Sequence, residues 1–144
     1  MKIKAIIAVL AIAVSAMAWS TAQAGSAKAP DDATPPDGVD ILSGDEIVAA
    51  FVENTIFGLD SGKKYWEFFK PNGKVHGLWD RDKYKAKWSI QNDMLCLDYK
   101  GTGYDGCWYI EIIEGNKTSW YKPDGTLDGE PGDLDLLEGN PKNL

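Results

Sequence analysis

Turn-forming clusters recur so often after position 55 that no long helix fits between them. Asp60-Ser-Gly62, Pro71-Asn-Gly73, Gln91-Asn-Asp93, Glu114-Gly-Asn116 and Pro123-Asp-Gly125 cut the chain into short runs rich in aromatic and β-branched residues. Those runs are Thr55 to Leu59, Lys64 to Lys70, Val75 to Asp80, Tyr84 to Ile90, Met94 to Tyr99, Cys107 to Ile113, Thr118 to Lys122 and a last one from Leu127 onward. In Tyr84-Lys-Ala-Lys-Trp-Ser-Ile90 the apolar residues alternate with lysines, as in a strand with one buried face. The pattern predicts a mainly β fold, a small antiparallel meander or barrel of seven to eight strands. Phe69-Lys-Pro-Asn-Gly73 and Tyr121-Lys-Pro-Asp-Gly125 are near copies, read as the same hairpin chemistry used twice.

One helix is expected ahead of the strands. Ser43-Gly-Asp-Glu46 has the form of a capping box, with Ser43 accepting from the backbone and Glu46 reaching back, and Ile47, Val48, Phe51 and Val52 supply an apolar face that Asn54 should end. Upstream, Met1-Lys-Ile-Lys4, the apolar run Ala5 to Trp19 and the small residues to Ala22-Gln-Ala24 form a secretory signal, too short for a spanning helix. The expected organisation is a signal peptide (1–24), a disordered Pro-, Ala- and Asp-rich leader (25–40), a β-rich domain (41–131) and an acidic flexible tail (132–144). Loss of the signal removes Lys2 and Lys4 and no acid, leaving 13 bases against 22 acids, a net charge of −9. Such a surface argues against nucleic acid and anionic membranes, and favours basic partners.

Cys96 and Cys107 are the only cysteines, and His76 is the only histidine. A redox pair wants Cys-x-x-Cys and a structural zinc wants four ligands, whereas export puts the chain where thiols oxidise. With Gly101-Thr102 at a type II′ turn, Cys96 falls opposite Cys107, Leu95 opposite Trp108, Leu97 opposite Gly106, Asp98 opposite Asp105 and Tyr99 opposite Tyr104. One face then carries Leu95, Leu97, Tyr99, Tyr104, Trp108, Ile110 and Ile112 while the cysteines meet on the other, within reach of a disulfide. A slip of one residue would bury Asp98 and expose Leu97.

Leu42-Ser-Gly44, Glu46-Ile47, Asn54-Thr55, Asn72-Gly73, Lys87-Trp88, Asp93-x-Leu95-Cys96 and Cys107, in that order between Leu42 and Lys122, resemble a family of small exported proteobacterial proteins of unknown function. The resemblance implies export and a disulfide, and brings no activity with it.

Catalytic signals are sparse. There is no Gly-x-Ser-x-Gly, no His-x-x-x-His and no phosphate-cradling glycine loop, and His76 falls on a predicted strand. No metal site or cofactor is expected; Asp98 and Asp105, opposed beside the disulfide, are the carboxylates best placed to share a proton or a cation. The acids from Asp124 to Glu138 lack the spacing of a calcium loop. Tyr65-Trp-Glu-Phe-Phe69 has aromatics on both faces, which makes Tyr65, Trp66 and Phe68, with Trp79, the candidate binding surface. So many Trp and Tyr residues are expected to fill a narrow barrel, which disfavours an open-cavity carrier. The chain therefore reads as a non-catalytic periplasmic or secreted binding protein that recognises a protein partner such as a secreted hydrolase. A small-molecule or metal-binding barrel and a carbohydrate-acting enzyme are the alternatives.

Overall fold

The computed structural model describes residues 27–144, so the signal expected at 1–24 lies outside the described residues. The chain enters a short helix α1 (Gly44–Phe51) and then β1 (Thr55–Asp60), β2 (Lys63–Phe69), β3 (Lys74–Trp79), β4 (Asp82–Gln91), β5 (Met94–Asp98), β6 (Gly106–Ile113), β7 (Lys117–Tyr121) and β8 (Leu134–Leu137). Every strand runs antiparallel to its sequence neighbour, and β8 pairs with β1 to close an eight-stranded barrel. Closure removes the exposed edges that an open meander would carry. Tight turns do the joining: Ser61 and Gly62, and again Asn92 and Asp93, have the positive φ that two-residue hairpins require. The near-copied turns match as well. Lys70 N–H donates to Lys74 O and Gly73 N–H to Lys70 O, as Lys122 N–H does to Thr126 O and Gly125 N–H to Lys122 O.

Helix α1 begins as its sequence dictates, with Ser43 and Glu46 completing the capping box. Gly44 N–H also donates to Asp93 Oδ1 at 2.7 Å, which ties the helix to the β4–β5 turn. Ile47 and Phe51, one turn apart, are buried against Ile56, Phe69, Val75 and Ile110, so the helix plugs one end of the barrel. Phe51 meets Phe69 edge to face at 5.4 Å between centroids. Asn54 secures the junction: its Nδ2 donates to Ala50 O and its Oδ1 accepts from Gly139 N–H.

Cys96 and Cys107 are bonded, with Leu95 opposite Trp108 and Leu97 opposite Gly106 as the pattern requires. Beyond Gly106 the expected two-residue turn is replaced by a loop, and Asp98 and Asp105 do not oppose each other. Asp105 instead accepts from the N–H groups of Tyr99 and Gly101, and Asp98 accepts from that of Lys100. Short acids that can hold backbone donors favour this loop over continued pairing. Tyr104 is consequently 71% exposed rather than part of the inner face, and Ile112 lies at the exposed end of β6.

Two further expectations are corrected. Residues 27–40 pack along the outer wall: Ala29 is buried with the disulfide, Met94 and Tyr109, and Gln91 bonds both Ala27 O and Ala29 N–H. Small alanines fit the shallow surface over a disulfide, where burial does not need a large side chain. The acidic tail supplies β8, because Leu134 and Leu136 alternate with Asp135 and enter the core.

Candidate functional site

Strand parity sends Ile56, Tyr65, Glu67, Trp79, Tyr84, Leu97, Tyr99, Trp108 and Trp120 to the barrel interior. At the end away from α1 they surround a cavity of about 660 Å³. Its rim is formed by Asp60 at the end of β1 and by Thr102, Tyr104, Asp128 and Asp133 from the loops. The interior is thus not filled by its aromatics, and the reason lies in its glycines. Gly58, Gly77 and Gly106 face inward, and a Cβ on each would collide with the ring of Tyr65, Tyr84 and Trp108 respectively. Gly58 is the cross-strand partner of Tyr65 and Gly77 that of Tyr84, so each ring lies flat over bare backbone instead of pointing across the lumen.

At the inner end of the cavity sits Glu67, 3% exposed. It shares a row with Ile56 on β1, Gly77 on β3 and Tyr84 on β4. The Tyr84 and Tyr99 hydroxyls both donate to Glu67 Oε1, at 2.7 and 2.6 Å. Burial pushes the Glu67 carboxyl above the usual carboxylate range, against the two hydroxyl donors that favour the anion. The neighbouring phenols shift the same way: burial raises Tyr65, Tyr84 and Tyr99, with the charge of Glu67 second, so all three stay protonated in ordinary buffers. No described residue bonds to Glu67 Oε2.

Indole donors line the same space. Trp108 Nε1 donates to Asp128 Oδ2 at 2.7 Å and Trp120 Nε1 to Thr118 Oγ1 at 2.9 Å. Trp79 Nε1 is buried and has no partner among the described residues, while Lys63 Nζ stands 4.2 Å from the centroid of its ring. A buried donor without an acceptor costs a free-energy penalty of about 1–3 kcal/mol.

The four aromatic candidates divide between the two sides of the wall. Tyr65 and Trp79 line the cavity, whereas Trp66 and Phe68 point outward, Trp66 resting against Phe57 with Lys142 Nζ 4.4 Å from its ring centroid. Asp98 and Asp105 are occupied by their loop, and the described residues hold no group of three or more His, Cys, Asp or Glu set to bind a metal. His76 lies on the outer wall opposite Phe68 and Lys85. Desolvation lowers its pKa first, and the charges of Lys70, Lys85, Lys74 and Lys83 lower it further. In sequence Glu67 is inconspicuous, because aromatics flank it on both faces of the strand. Its inward parity, shared with Tyr65 and Phe69, was the available signal.

No family model, no curated protein and no solved structure matches this chain.

Proposed function

We propose that this protein is an exported, non-catalytic binding protein that takes a small molecule into its barrel. The observation that carries the proposal is the cavity of about 660 Å³, which lies within the size range of ligand pockets, opens at one end and ends on a buried carboxyl. Plugging by α1 at the other end makes it a blind cup rather than a channel. Binding of a basic protein through the outer aromatics has less support, because Lys74, Lys83, Lys85 and Lys87 crowd the adjoining β3–β4 wall and would repel it. Periplasmic location belongs to the same proposal, supported by the Ala22-Gln-Ala24 signal and the disulfide. None of the described helices is long and apolar enough to cross a membrane.

The neutral dye N-phenyl-1-naphthylamine tests the cavity. Its fluorescence should rise on mixing with the native protein and fail to rise with Leu134→Trp, which places an indole in the cavity wall. Circular dichroism checks that the variant stays folded. No enhancement with the native chain, or enhancement unchanged in a folded Leu134→Trp, would reject the cup as a binding site. Mass spectrometry of periplasmic extract should find a chain that starts at Gly25, and a retained full-length product would reject export.

A further inference from the structure

The cavity is chemically one-sided. Its lining carries the acids Asp60, Glu67, Asp128 and Asp133, and its one basic residue, Lys85, has its side chain on the outer wall opposite His76. Asp128 is partly answered by Trp108 and by Lys122, whose Nζ is 3.6 Å away, but Glu67 has no cationic partner among the described residues. Anionic ligands would meet like charge at the rim and again at the inner end. The absence of a metal-binding group among the described residues leaves a metal ion with too few carboxylates.

We propose that the ligand is an organic ammonium ion, held between the faces of the cavity's tyrosines and tryptophans with Glu67 as its counter-ion. This rests on the proposal that the cavity binds a small molecule. Aromatic faces attract a cation without needing a second carboxylate, and the attraction strengthens where water is excluded. Glu67 Oε1 already receives two hydroxyl donors, so Oε2 is the atom left for an ammonium N–H.

Binding is linked to proton loss from Glu67. The groups facing it are the phenols of Tyr65, Tyr84 and Tyr99, which keep their protons, and the rim acids Asp60, Asp128 and Asp133. Affinity for an ammonium ion should therefore rise with pH above the ordinary carboxylate range as Glu67 ionises, whereas a neutral ligand should show no such dependence.

Calorimetric titration of the native protein with tyramine and with tyrosol, its neutral alcohol counterpart, tests this. Tyramine should bind at least about 10-fold more tightly near neutral pH, and only tyramine should gain affinity with pH. Glu67→Gln, which keeps an acceptor for both tyrosine hydroxyls, should remove most of the preference and leave tyrosol within about 3-fold of its native affinity. Equal affinity for the two probes, or a preference that survives Glu67→Gln, would overturn the ammonium assignment while leaving a dye-binding cavity intact. Failure of both probes to bind would overturn it too, and the neutral dye would then show whether the cavity binds anything. If Glu67→Gln does not fold, the pH dependence in the native protein decides alone: a flat tyramine profile rejects the proposal.

Discussion

Glu67 is a buried carboxyl with no cationic partner among the described residues. Burial holds its carboxyl above the ordinary value of 4.5, so the folded state keeps a proton that the unfolded chain has already released. Between 4.5 and the raised folded value the native state binds more protons than the unfolded state. Stability must therefore fall as pH rises through that window and level off above it. Glu67→Gln cannot titrate and should lack that slope, as urea denaturation at a series of pH values would show. Matching slopes in the two proteins would mean that Glu67 ionises like a solvated carboxylate. His76 provides a second test, with its pKa lowered by desolvation and then by the lysines around it. Because it is the only histidine, one imidazole resonance should titrate with a midpoint below the ordinary 6.5. Lys85→Glu, on its cross-strand partner, should move that midpoint upward. An unmoved midpoint would show that lysine charge contributes nothing.

Among the elements, strand pairings were legible where turn residues and alternation agree on one register, although the β5–β6 connection is a loop rather than the expected two-residue turn. Leu95, Leu97 and the cysteines can share a β5–β6 pairing only one way round. What alternation could not convey is where an inward ring goes next. Tyr84 points inward, but whether it crosses the lumen or lies on the wall depends on Gly77 in the neighbouring strand, and likewise for Tyr65 with Gly58. The cavity follows from those pairings rather than from any one strand. Gly77→Ala should therefore force the Tyr84 ring off the wall, break its bond to Glu67 and lower the unfolding midpoint. An unchanged melting curve and unchanged dye binding would contradict this account of the cavity. The disulfide makes a separate contribution. It closes a short loop across β5 and β6, for which the chain-entropy estimate is roughly 3 kcal/mol. Cys96→Ser together with Cys107→Ser should lose about that much in urea denaturation, or less if the hairpin persists in the unfolded chain. No loss at all would show that the pairing of the strands suffices.

Over the whole molecule, net charge proved a poor guide to local charge. Acids gather at the cavity mouth, while Lys74, Lys83, Lys85 and Lys87 share the outer wall of β3 and β4, away from the ion pairs Lys117–Asp135 and Lys122–Asp128. The same acidic composition hid the strand that closes the barrel, because Leu134, Leu136 and Leu137 sit in a stretch that reads first as a solvated tail. Deletion of residues after Pro131 tests its importance. The truncated chain would lose the partners of Thr55, Ile56 and Phe57 on β1 and of Lys117 and Thr118 on β7. It would also lose Leu134 and Leu136 from the edge of the core. Two half-buried leucines contribute on the order of 2–4 kcal/mol together, a large part of the stability of a domain this small. The newly exposed edges of β1 and β7 would in addition invite pairing between molecules. Deletion after Gly139 should be far milder, since Gly139 still donates its N–H to Asn54 and accepts from Thr55 Oγ1. Thermal melts and size-exclusion chromatography should show the shorter chain unfolded or aggregated and the longer one folded and monodisperse. If the chain ending at Pro131 melted cooperatively at the native temperature, β8 would not be what closes the barrel.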